Sequence, residues 1–125
     1  MLIAKGSFKG DSGHTLEGTF TLIRQADGTI AFETDEGFKF DGSPNPGWAL
    51  YTGVPGNDQD PAVHADMVRT RFGSLPGGAL DEQNEVTGKQ FATIPAEADL
   101  SAYDTIILWC FTFPTTLGHG KIEAV

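Results

Sequence analysis

The chain has a single cysteine, no long apolar run and few basic residues, and each of these shortages excludes a class of protein. One cysteine among 125 residues cannot form an intramolecular disulfide, so the fold must be stabilised by its core. No apolar run approaches the roughly 18 residues that a membrane-spanning helix needs. Eight basic against 17 acidic residues give a net charge of -9, and a field of that sign repels the phosphates of nucleic acids. We therefore expect a soluble, acidic domain without a nucleic-acid partner.

The start of the chain gives an expectation about the compartment. Residues 1–6 are too few to form a signal peptide, and no apolar segment follows them. A lone thiol also fits a reducing environment. The sequence thus indicates a cytoplasmic protein unless a leader has been removed.

Glycine and proline are spread along the whole length, with 16 and seven residues, and this density favours short strands over long helices. Residues 15–23 alternate between apolar and polar side chains, and so do the residues around Ile30 and Phe32. Ala26-Asp27-Gly28 lies between them, so the two runs predict a β-hairpin. Residues 62–71 hold the only passable helical pattern. They lack a convincing cap, which leaves helix and loop both open.

The segment from Tyr103 to Phe113 is the strongest predicted element, because β-branched and aromatic residues fill it. Both of its faces are apolar, which is typical of a central strand covered on both sides. Alternation places one set on each face: Ile106, Leu108 and Cys110 against Ile107, Trp109 and Phe111. We predict one all-β domain over residues 1–125, an antiparallel β-sandwich or barrel of short strands with at most one short helix.

Two stretches of the chain carry the same pattern as a known family. They are Gly6-Ser7-Phe8 with His14 in the turn that follows, and Asp99-Leu100, Tyr103 and Trp109-Cys110 with Phe113 and Leu117-Gly118 after them. Phe40-Asp41-Gly42-Ser43-Pro44 fits a loop in the middle of the same pattern. The chain resembles the DM13 family over residues 6–118. It departs from the family pattern at Leu117, where the family has phenylalanine.

The resemblance implies a function and a site. DM13 domains are described as electron-transfer or redox modules that accompany DOMON domains, which implies a redox or protein partner. The family's proposed redox atom is the cysteine of the Trp-Cys pair, which is Cys110 here. It would act either as a bare thiol or as a ligand of a prosthetic group such as haem. The alternative is that Cys110 is a buried structural thiol, since free cysteine packs as a small hydrophobe.

Any group that activates Cys110 must come from elsewhere in the chain, because no Lys, Arg or His lies within seven residues of it. His14 and His119 are the candidate partners, for a thiolate or for a haem iron. His64 is a weaker candidate in the central loop region. Asp58 and Asp60 are loop carboxylates that calcium could use, but the twelve-residue calcium pattern is incomplete, so we predict no metal site.

Two other functions remain open at this point. A non-catalytic binding module for a sugar or a protein would expose an aromatic cluster around Trp48 and Tyr51. An enzyme has the least support, since no nucleophile elbow, phosphate loop or matched His/Asp spacing is present.

Overall fold

A computed structural model describes residues 1–77 and 84–125, and strands dominate this part of the chain. The strands are β1 (Leu2–Gly10), β2 (Leu16–Glu17), β3 (Thr19–Arg24), β4 (Ile30–Thr34), β5 (Lys39–Phe40), β6 (Pro46–Tyr51), β7 (Arg71–Ser74), β8 (Val86–Thr87), β9 (Phe91–Ile94), β10 (Thr105–Cys110), β11 (Thr115–Lys121) and β12 (Glu123–Ala124). Within the described residues, one helix, α1 (Pro61–Thr70), and one 3₁₀ turn (Leu100–Ala102) accompany them. The predicted all-β class with at most one short helix is confirmed.

Most of the described strands form one antiparallel sheet that almost closes into a barrel. Its order is β7-β6-β10-β11-β1-β3-β4-β9, and β12 pairs with β1. The outer strands β7 and β9 approach each other, since a Cβ built on Gly73 would lie 2.7 Å from the Cβ of Ala92. A small sheet, β2-β5-β8, lies beside the barrel. The barrel arrangement leaves little of the sheet edge unpaired.

Strand β10 is the central strand that its sequence predicts, with every residue buried. Ile106, Leu108 and Cys110 belong to the main core inside the barrel. Ile107 and Trp109 face outward and pack under α1 in a second cluster with Ala49, Val63 and Met67. The predicted division of this strand into two apolar faces is therefore confirmed, and α1 covers the outer one.

The hairpin prediction is also confirmed, but its first strand is interrupted. β3 pairs with β4 through Phe20↔Thr34 and Arg24↔Ile30. Gly18 has a φ of +111°, which ends the extended run and separates β2 from β3. Its missing side chain also leaves room for Asp35, whose Oδ1 would be 2.7 Å from a Cβ at this position.

The helix begins with a cap that the sequence pattern alone did not reveal. The Asp60 carboxylate accepts a hydrogen bond from the Ala62 N–H at 2.9 Å, and Pro61 occupies the first helical turn. Both features are typical of a helix start. Val63 and Met67 are its buried residues, as predicted. Asp60 is thus a capping residue, and the short helix is present.

Asp104 fixes the start of β10 to the neighbouring loop. Its Oδ1 accepts hydrogen bonds from the Gly53 N–H at 2.8 Å and from the Thr105 hydroxyl at 2.7 Å. The hydrogen bond from the Gly53 N–H is the main cause of a lowered pKa for Asp104, and the bond from the Thr105 hydroxyl lowers this pKa further. The carboxylate therefore adds stability above its unfolded pKa of about 4, and this contribution is lost as the pH falls through the lower folded value.

We expect Asp104→Asn to be slightly less stable than the wild type at neutral pH, since the carboxylate is exposed and screened. The difference should vanish in acid, where both side chains are neutral. Urea unfolding at a series of pH values measures this difference, and a gap that does not narrow as the pH falls below about 4 would mean that charge is not its cause.

None of the helices in the described part of the chain has the length and apolar character to cross a membrane.

Candidate functional site

Cys110 ends β10 at one end of the barrel, and its side chain is only 2% exposed. Its neighbours across the sheet are Pro46 of β6 and Thr115 of β11. The thiol donates a hydrogen bond to the Pro44 carbonyl at 3.2 Å. The Phe113 N–H donates to Sγ at 3.3 Å. The sulfur thus lies between a backbone acceptor and a backbone donor, and it is hydrogen-bonded to both.

Residues 111–114 form the turn that covers the thiol, and three contacts hold this turn in place. The Phe111 N–H donates to the Asn45 carbonyl at 3.1 Å. The Asp58 carboxylate accepts from the N–H and the hydroxyl of Thr116, at 2.8 and 2.7 Å. The Gln59 amide donates to the Pro114 carbonyl at 3.4 Å. Asp58, considered above as a calcium ligand, is therefore bonded to β11 just after the turn over Cys110.

His14 and His119 are each paired with a carboxylate. The Nδ1 of His14 lies 2.9 Å from Asp41 Oδ1, and the Nδ1 of His119 lies 2.6 Å from Asp11 Oδ2. His119 is opposite Ile107 in the β10–β11 ladder, so it shares the outer face and not the face of Cys110. Within the described residues, no hydrogen bond joins either imidazole to the sulfur.

The third histidine has the closest relation to the Trp-Cys pair. His64, in the first turn of α1, accepts a hydrogen bond at Nδ1 from the Trp109 indole N–H at 3.1 Å. The His64 ring also lies 6.2 Å from the Phe111 ring, centroid to centroid. The Arg71 guanidinium lies over the same Phe111 ring, 4.0 Å from its centroid. Partial burial lowers the pKa of Arg71. Sequence reasoning gave His64 little weight because nothing local links two residues 45 positions apart.

The surroundings of Cys110 do not fit a haem. A ligating sulfur must face open space large enough for the porphyrin, whereas this sulfur is buried and hydrogen-bonded to the backbone on two sides. Four cavities of 260–350 Å³ lie elsewhere on the described surface, and Cys110 lines none of them. The described residues also contain no cluster of three or more metal-binding side chains.

The aromatic residues that a sugar-binding module would expose are instead in the core. Trp48 is completely buried, stacks with Phe8 at 5.3 Å and packs at a tilt against Phe32 at 4.9 Å, centroid to centroid. Tyr51 is half-buried against the cluster under α1. The alternative of an aromatic binding platform therefore loses Trp48, whereas Tyr51 remains partly exposed.

Comparison with known proteins identifies the family. The sequence profile described as "Electron transfer DM13" matches residues 7–122, which is nearly the whole chain. No curated protein and no solved structure gives a significant match. The matched range includes the lone cysteine, the turn over it and the strand that carries it. The chain belongs to the DM13 electron-transfer family.

Proposed function

We propose that residues 1–125 act as one electron-transfer module whose redox group is the bare thiol of Cys110, and that its partner is a protein with a disulfide. Support comes from the electron-transfer description of the family and from the place of the chain's only sulfhydryl in the closing motif. The observation that carries the proposal is the environment of Sγ. It is buried, hydrogen-bonded to the backbone on two sides and covered by a short turn.

This environment favours a thiol over a haem ligand. The Phe113 N–H points at the sulfur, and a donor in that position stabilises negative charge on it. The thiolate is the nucleophilic form of cysteine. Within the described residues, the sulfur is buried and bonded to two backbone groups, so it presents no open face to a haem iron.

The reaction that fits is thiol–disulfide exchange. Cys110 loses its proton to solvent and its sulfur attacks one sulfur of the partner's disulfide. The partner's S–S bond breaks, a new S–S bond joins Cys110 to the partner, and the second partner sulfur leaves as a thiolate. Two electrons pass to the leaving sulfur. A dithiol donor protein then attacks the sulfur of Cys110, so that the first partner leaves with both of its thiols reduced. The second thiol of the donor releases Cys110 as a thiol, and the donor keeps the new disulfide, because the chain has no other cysteine of its own.

Exchange requires contact between sulfurs, so residues 111–114 must open first. Phe113, the third residue of that turn, is 56% exposed and marks its outer side. Asp58 restrains the turn through two charge-assisted hydrogen bonds to Thr116. Local opening of this kind costs less than unfolding the barrel. The restraint by Asp58 therefore sets how often the thiol is available.

Asp58→Ala is expected to speed the reaction of Cys110 with glutathione disulfide by about 10- to 100-fold. Hydrogen bonds to a charged group contribute about 1.5–3 kcal/mol, and each 1.4 kcal/mol is a factor of ten in opening. Mass spectrometry of the mixed disulfide over time gives the rate. Cys110→Ser should form no adduct.

Asp27→Ala is the matched control for this experiment. Asp27 accepts from the N–H and the hydroxyl of Thr29 at 3.0 and 2.6 Å, which is the same pair of bonds in the β3–β4 hairpin. Its loss should leave the exchange rate of Cys110 unchanged. If wild-type Cys110 exchanged only as fast as the whole barrel unfolds, the thiol would have only a packing role and the proposal would be wrong.

A further inference from the structure

Trp109 has an unusual polar contact for a core residue. Its side chain is completely buried under α1, and among the described residues its indole nitrogen has one hydrogen-bond partner, the Nδ1 of His64. An indole N–H can only donate, so Nδ1 must be the acceptor and carries no proton. The contact thus places an unprotonated imidazole nitrogen directly on the indole proton.

We propose that Trp109 and His64 form a proton-coupled redox site, separate from Cys110, that gives one electron to a high-potential one-electron acceptor. The proposal rests on the electron-transfer assignment of the family and does not depend on the chemistry of Cys110. His64 lies in α1, outside the family's closing motif.

Oxidation of Trp109 moves one electron and one proton. The acceptor takes one electron from the indole ring of Trp109 and is thereby reduced. The oxidised ring is far more acidic than neutral indole, so its N–H proton moves along the hydrogen bond to Nδ1 of His64. Trp109 becomes a neutral radical and His64 becomes an imidazolium. When a donor returns the electron, the proton moves back to the indole nitrogen.

Burial makes His64 the base for this proton. Trp109 is enclosed by α1 and β6 side chains, among them Ala49, Val63 and Met67, which offer no polar atom. Water does not reach the ring, since its exposed fraction is zero. His64 and Phe111 are half-buried at the edge of the same cluster, so Trp109 lies one side chain below the surface. An electron can cross that distance without contact between the acceptor and the ring.

The second tryptophan provides an internal comparison. Trp48 is equally buried, but its indole nitrogen has no hydrogen-bond partner among the described residues. If Trp48 is oxidised, its proton has no base to receive it and the ring stays a radical cation. The chain contains only these two tryptophans, so each can be studied alone.

The test is flash photolysis with a ruthenium(III) polypyridyl oxidant, with transient absorption to distinguish the neutral tryptophan radical from the radical cation. Trp48→Phe leaves Trp109 alone and should give the neutral radical. Trp109→Phe leaves Trp48 and should give a lasting cation. In Trp48→Phe/His64→Asn, an amide oxygen can accept the hydrogen bond but not the proton. Loss of the proton should slow by a factor on the order of 100, the scale of a positioned base.

Two outcomes would overturn the proposal. One is an unchanged rate of proton loss in the His64→Asn variant, shown to be folded by circular dichroism. The other is the absence of any Trp109 radical in Trp48→Phe. The same experiment with Cys110→Ser should give unchanged signals from Trp109. If Cys110 proves not to exchange, the Trp109 radical is still expected. If Trp109 gives no radical, the exchange kinetics expected of Cys110 are unchanged.

Discussion

Trp48→Ala is expected to lower the free energy of unfolding by about 3–5 kcal/mol. The Trp48 ring is completely buried and lies at the centre of the aromatic core, with Phe8, Phe32 and Phe38 at centroid distances of 5.3, 4.9 and 5.9 Å. Alanine leaves a cavity that these rings can fill only in part. Since domains of this size have about 5–15 kcal/mol of stability, the loss is a large share of the total. Urea unfolding followed by circular dichroism measures it.

Trp48→Phe is the informative companion variant. It keeps an aromatic ring and removes an indole N–H that has no acceptor among the described residues. A buried donor without a partner costs about 1–3 kcal/mol, and its removal offsets part of the lost volume. We expect Trp48→Phe to cost about 1 kcal/mol or less. If Trp48→Phe lowered the free energy of unfolding as much as Trp48→Ala does, the indole nitrogen would have a hydrogen-bond partner in the folded protein in solution.

Gly10→Ala is expected to lower the free energy of unfolding by about 3 kcal/mol. A Cβ on Gly10 would overlap the His14 carbonyl oxygen and lie 3.0 Å from the Leu16 nitrogen. These are backbone atoms, so the whole turn from residue 11 to residue 15 would have to move. That movement would also disturb the hydrogen bond between His14 and Asp41.

Gly56→Ala is the control for Gly10→Ala. A Cβ there would meet no atom within 4 Å, and its φ does not require glycine. It should be neutral or stabilise the fold by less than about 1 kcal/mol, because alanine restricts the unfolded chain. Thermal unfolding of both variants gives the comparison. Equal losses at the two positions would show that close packing at Gly10 is not the reason for its effect.

Local sequence patterns were enough to predict part of the fold. The two apolar faces of β10 follow from strict alternation in a strand rich in β-branched residues, and the β3–β4 hairpin follows from its turn residues. The strand β7, by contrast, was not predicted, and its first residue, Arg71, fell within the helical pattern of residues 62–71, whereas the helix ends at Thr70. Gly73 and Ser74 weaken its sequence signal, and its pairing with Gly47 and Trp48 is a tertiary contact.

Only the identity of Cys110 in the candidate site could be predicted from the sequence. Cys110 is identified by its motif, but its burial and its bonds to Pro44 and Phe113 depend on how the turn closes. Asp58 looked like a solvated loop residue or a calcium ligand, and its bonds to Thr116 span 58 positions. The pairing of Trp109 with His64 is equally remote. Sequence spacing predicts contacts on one strand or helix, whereas these contacts join different elements.

The position of β1 also has a consequence for the order of folding. This strand precedes the other strands of the domain in the sequence, and it pairs with β11 through Phe8↔Gly120 and with β12 through Ala4↔Ala124. It must therefore wait for almost the entire chain before its second neighbour exists. Strand pairings between such distant segments slow folding, because a long loop must close before the contact stabilises it. Until then β1 has one open edge, and the thiol of Cys110, itself close to the end of the chain, has no completed barrel to enclose it.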